Sequence, residues 1–119
     1  MGALRRFLDK LSESDEARLS HEIEDWAASV PGSVRIADAP MREPVTLAGM
    51  VRRITVFPME DNESLEALVS DGTGEVVVVF MGRRSIPGLD LGTRVVVQGV
   101  VGEQRGIKRM TNPRFEFSG

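Results

Sequence analysis

The sequence has no cysteine, no tyrosine, one tryptophan and one histidine in 119 residues. Without cysteine there is no disulfide, no zinc–thiolate site and no thiol nucleophile, a pattern that suits a reducing compartment. Long apolar runs are missing too: no stretch of about 18 residues would span a bilayer. The opening "MGALRRFLDKLSESDEARL" carries an arginine pair, but acids interrupt it and it lacks the apolar segment of a signal peptide. The expected location is the cytoplasm, with no membrane association. An excess of positive charge is also absent, since the formal net charge is −3. Residues 1–44 hold six Lys/Arg against nine Asp/Glu, and residues 45–119 hold nine of each. A site for a polyanion must therefore come from local clustering within a neutral region.

Signatures of catalysis are equally sparse. HExxH, GxxxxGK[ST], GxSxG and EF-hand spacings do not occur. His21 stands among acids and reads as a solvated side chain. Glu60, Asp61 and Glu63 could be imagined around a divalent cation, but without a fixed scaffold they read as a solvated loop tip. "DGTGE" (71–75) is glycine-rich, yet it joins two strands and lacks the helix that a phosphate loop needs, so it reads as a hairpin turn. The expectation is a non-enzyme with no cofactor and no metal.

What the chain does contain falls into two parts. Leu4, Phe7, Leu8 and Leu11, then Leu19, Ile23, Trp26, Ala27 and Val30, recur at the spacing of one helical face. Ser12 with Asp15 resembles a capping box that would begin a second helix, although one continuous helix fits as well. Pro31-Gly32 ends the helix in either case. Trp26 is expected to pack the helix onto the rest of the molecule or onto a partner. The predicted organisation is a helical extension (1–32), a linker with Pro40 and Pro44 (33–44) and a β domain (45–119).

Within the β domain, β-branched runs alternate with turn residues. Strands are predicted at 45–57, 64–70, 75–81, 93–101 and 107–117, the last broken at Asn112-Pro113. "EVVVVFM" (75–81) is apolar on both faces, as a central strand should be. "GRRSIPGLDLG" (82–92) leaves room for a helical turn at most. In the first strand Val45, Leu47, Gly49 and Val51 alternate on odd positions, whereas Ile54 and Val56 fall on even ones. The switch at Arg52-Arg53 predicts a bulge that lets one long strand pair in two directions, as a small closed barrel requires. The fold class is mainly β: a five-stranded Greek-key barrel with an N-terminal α-helical extension.

"VTLAGMVRRITV", "LEALVSDGTGEVVVVFMGRR", "LDLGTRVVVQGVV" and "MTNPRFEF" together resemble the OB-fold of small actinobacterial nucleic-acid-binding proteins. They are also similar to the OB wedge of branch-migrating helicases and to anticodon-binding barrels. The resemblance covers about two-thirds of the chain. It implies that ligand would lie across the second and third strands, between the loops joining strands one to two and four to five. Single strands are held there by cations along the backbone and aromatic faces under the bases. The candidate contacts are Arg52, Arg53, Phe57, Arg83, Arg84, Arg105, Lys108, Arg109 and Arg114, which include eight of the nine basic residues of the β domain. Guanidinium suits phosphate because its fork of donors is always charged.

Other features oppose that reading. Phe80, Phe115 and Phe117 are expected in the core, which leaves Phe57 as the stacking platform. "PMEDNES" (58–64) is acidic, and adjacent arginines on a regular strand point to opposite faces, so each pair would offer one residue to a shared surface. The expected function is sequence-tolerant binding of single-stranded DNA or RNA. The alternative is a protein-interaction module in which the amphipathic helix docks on a partner or a second copy.

Overall fold

The computed structural model describes residues 2–58 and 63–118, with side chains from residue 15 onward. One helix, α1 (Gly2–Ser29), opens the chain, so Ser12 and Asp15 lie inside a continuous helix and do not begin a second one. It stops just before Pro31-Gly32, and the Ser33 hydroxyl lies within donating distance of the carbonyls of Ala27 and Val30, at 2.7 and 2.9 Å, adding to the bonds these helix-end acceptors take from the Val30 and Ser33 N–H groups. A short 3-10 turn (Ile36–Asp38) follows. Among the described residues six strands follow: β1 (Pro44–Phe57), β2 (Ser64–Ser70), β3 (Glu75–Met81), β4 (Arg94–Gln104), β5 (Ile107–Thr111) and β6 (Arg114–Ser118).

Five of the strands form a ring. β1 pairs with β2, β2 with β3, β3 with β5 in parallel, β5 with β4, and β4 returns to β1. Closure depends on β1 serving two partners: Pro44–Met50 pair with β4 and Met50–Phe57 with β2. Where it passes from one to the other, Gly49 lies so close to β2 that a Cβ would sit 2.7 Å from the Ser70 carbonyl oxygen and from Val69 Cγ1. Just beyond, the register shifts between Val51 and Arg53, which places the expected bulge at Arg52.

The predicted fifth strand is two strands. Asn112, at φ 49°, takes a left-handed conformation that Asn tolerates better than most residues. Its Oδ1 accepts the Met81 N–H at 2.9 Å and its own N–H donates to the Val79 carbonyl at 2.7 Å. Pairing with β3 ends there, and β6 swings over to β4, where Phe115 lies opposite Val97 and Phe117 opposite Val95.

Inside the ring, Leu47, Val51, Leu65, Ala67, Val69, Val76, Val78, Phe80, Val95, Val97, Val101 and Met110 form the core. Connecting segments complete it. Ile36 of the 3-10 turn joins it beside the β2–β3 turn, and Ile86 and Leu89 of the β3–β4 connection join it as well. That connection contains no helix. Phe80 meets Phe115 edge-on at 5.1 Å, and both belong to the core as expected.

A second cluster lies outside the ring. Ala27 of α1 is buried against Ala48 of β1 and Val96 of β4, with Trp26 and Val30 packed around them. The strand segment Leu47–Val51 is thus buried on both faces, one by the ring interior and one near the helix. Trp26 packs the helix onto its own ring, and the Arg94 guanidinium lies over the indole, 5.3 Å from the ring centroid. Leu19, on the same stripe, is 39% exposed. Leu4, Phe7, Leu8 and Leu11 lie outside the residues whose side chains are described.

Candidate nucleic-acid interface

α1 lies against β1 and β4, and the outer faces of β2 and β3 are partly open: Ser64, Glu66, Leu68, Ser70 and Val77 are half-buried there and Val79 is buried. Cross-strand partners point to the same side of a sheet, so the register identifies what stands on this face. Leu65, Ala67 and Val69 point into the core, hence Ser64, Glu66, Leu68 and Ser70 point out. Opposite them stand Arg53, Thr55 and Phe57 of β1 on one side, and Glu75, Val77, Val79 and Met81 of β3 on the other. The parallel pairing of β3 with β5 adds Arg109 beside Val77 and Thr111 beside Val79.

The bulge changes what the first arginine pair offers. Val51 faces the core before it and Ile54 packs against the core after it, while Arg52 and Arg53 between them are both exposed. Alternation on a regular strand would have sent one of the two inward. The extra residue at the bulge places both guanidinium groups outside, so the expectation of one residue per pair does not hold here.

The second pair sits where β3 leaves the sheet. The Gly82 N–H donates to the Glu63 carbonyl, and the Arg84 Nε is 2.5 Å from Glu63 Oε1. Arg83 is exposed and has no ion-pair partner among the described residues. Of the acidic loop, Met59–Asn62 lie outside the described residues, and with them Glu60 and Asp61.

Phe57 is 44% exposed at the end of β1, and Met81, on the same face across Ser64, is 47% exposed. Both are apolar side chains against which a base could lie flat. Met81 was hidden in the sequence by its place at the end of an apolar run. Arg109 is more firmly held. Its Nη2 donates to Glu66 Oε2 at 3.1 Å, and both side chains are largely covered. Around them, Arg53, Thr55, Glu66, Leu68 and Val77 line a recess of about 90 Å3. Among the described residues, five arginines (52, 53, 83, 84 and 109) stand on or beside this face with three glutamates (63, 66 and 75), in a β domain that is neutral as a whole.

Three candidate residues are placed elsewhere. Lys108 reaches the 3-10 turn, where its Nζ donates to the carbonyls of Ile36 at 2.5 Å and Ala37 at 3.0 Å. Arg114 pairs with Gln98, on the same side of β4 as the helix-covered Val96, and so lies away from the β2–β3 face. Arg105 occupies the β4–β5 hairpin at φ 54°, followed by Gly106 at φ 80°, the two positive angles of a tight two-residue turn. Together with Met41, Arg42, Gly102, Glu103 and Gly106 it borders a separate open depression of about 540 Å3.

At the same end of the ring the "DGTG" turn is organised by Asp71, which is 2% exposed. Its Oδ1 accepts from the Thr73 N–H, the Thr73 hydroxyl and the Gly74 N–H, and its Oδ2 from the Ile36 N–H. The carboxylate is thus committed to structure. No protein-family model matches the chain, and no curated protein matches it either.

Proposed function

We propose that this protein is a small OB-fold protein that binds single-stranded nucleic acid without catalysing a reaction on it. The strand order β1-β2-β3-β5-β4, returning to β1, supports an OB-type Greek-key ring, whose second and third strands form the usual oligonucleotide platform. The observation that carries the function is the bulge at Arg52. It sets two adjacent guanidinium groups outside the ring, along the border of a face that also bears Phe57, Met81 and Arg109. Arginines would contact the phosphates and Phe57 would stack on a base, a combination tolerant of sequence.

A protein-interaction module built on α1 is the second reading, and Leu19, exposed on the packing stripe, is what favours it. Titration of fluorescently labelled single-stranded DNA and RNA at low salt separates the two. The nucleic-acid reading expects micromolar binding, with Phe57→Ala weakening it by about 1–3 kcal/mol. Reversal of Arg18, exposed on α1, should leave binding unchanged. Absence of binding at low salt, or an equal loss from Arg18→Glu and from reversal of Arg83 and Arg84, would transfer support to the interaction module.

A further inference from the structure

We propose, on the basis of the nucleic-acid reading above, that Glu66 reads the edge of one base in the bound strand. It would favour a base carrying an exocyclic amino group, cytosine above all, over uracil. A carboxylate is out of place in a surface that only tracks phosphates, because it repels them. Yet Glu66 stands mid-face, opposite Thr55 of β1 on one side and Val79 of β3 on the other. It is also held in place: Oε2 accepts the Arg109 Nη2 at 3.1 Å, and the side chain is only 22% exposed. Oε1 has no hydrogen-bond partner among the described residues.

The surroundings suit a base edge better than a phosphate. The recess beside Glu66 is lined by Leu68 and Val77, which offer apolar contact to a ring, and by Thr55. Its volume of about 90 Å3 corresponds to a few water molecules, enough for the edge of a pyrimidine. Arg53 also lines it and is placed for the phosphate of the same nucleotide. An ionised carboxylate only accepts hydrogen bonds. Cytosine N4 donates to it, whereas uracil presents the O4 acceptor at the same position, leaving two acceptors face to face. Discrimination comes from that unpaired, partly desolvated pair.

Labelled oligodeoxycytidine and oligodeoxyuridine, each about twelve nucleotides long and so within the span of one such fold, test this directly. Binding is measured on the full chain at low salt and mildly alkaline pH, where cytosine runs remain unprotonated. The expected result is tighter binding of the cytidine strand by about fivefold or more. Glu66→Gln removes a repelling charge and supplies an amide that both donates and accepts, so both strands should bind more tightly while their ratio falls towards one. Equal wild-type affinity for the two strands overturns the proposal while leaving the interface reading intact. So does a Glu66→Gln variant that tightens both strands equally and keeps the ratio. Failure of the wild type to bind either strand overturns the interface reading and this proposal together.

Discussion

Asp71 and Lys108 hold opposite sides of the same residue. Asp71 Oδ2 accepts the Ile36 N–H at 2.9 Å, and Lys108 Nζ donates to the Ile36 carbonyl at 2.5 Å. Ile36 is fully buried at one end of the ring, so the two charged side chains fix the segment that closes it. Asp71→Ala would leave four donors without their acceptor, and a loss of about 1.5–3 kcal/mol is expected in urea unfolding. Lys108→Met should cost less, on the order of 1 kcal/mol, and should leave nucleic-acid affinity almost unchanged. A Lys108 variant that folds normally but loses binding would return this residue to the interface.

Gly49 tests ring closure. A Cβ there meets backbone and side-chain atoms of β2 at 2.7 Å, and the backbone cannot yield without moving the strand. Gly49→Ala is expected to destabilise the fold by about 1–3 kcal/mol through overpacking. A urea midpoint equal to that of the wild type would mean that β1 does not approach β2 so closely.

The helix should contribute through its second half. Trp26→Ala removes the indole from the cluster of Ala27, Ala48 and Val96 and from beneath the Arg94 guanidinium. Because Trp26 is half-buried, the expected loss is roughly 2–3 kcal/mol, somewhat below that of a core tryptophan. Arg94→Met should lose about 0.5–1 kcal/mol. Thermal unfolding of the two variants and of the double variant measures the coupling, and additive losses would show that the two side chains do not interact.

The second arginine pair gives an asymmetric expectation. Arg84 is paired with Glu63, whereas Arg83 has no such partner among the described residues. Arg83→Ala should therefore weaken single-strand binding more than Arg84→Ala, and Glu63→Gln should strengthen it. Neither arginine variant should shift the unfolding midpoint appreciably, since exposed ion pairs contribute little. Equal affinities for all three variants and the wild type would remove this end of the face from the interface.

Local pattern carried much of this structure, and long-range pairing carried the rest. The odd-to-even switch across Arg52-Arg53 marks the bulge, and Asn112-Pro113 marks the break between β5 and β6. The outward doubling of Arg52 and Arg53 was not legible by alternation, because alternation fails at a bulge. Lys108 and Arg109 look equivalent as neighbouring cations. Only the parallel β3–β5 register and the reach to Ile36 assign one to the outer face and the other to the 3-10 turn. Arg114 illustrates the same limit, since its side of the ring is decided by which edge of β4 receives β6. Asp71 reads from the sequence as an ordinary turn residue. Its burial depends on Ile36, which lies far from it in the chain.

The salt dependence of single-strand binding, compared between the wild type, an Arg52→Ala/Arg53→Ala variant and Arg114→Ala, tests the central claim most directly. Three or four phosphate contacts give a slope of log affinity against log salt of roughly −2 to −3. If both bulge arginines contact phosphate, their joint removal should make the slope shallower by about 1.4, at about 0.7 per phosphate. Arg114→Ala, altered on the other side of the ring, should keep the wild-type slope. A double variant with an unchanged slope, or one matched by Arg114→Ala, would contradict the account.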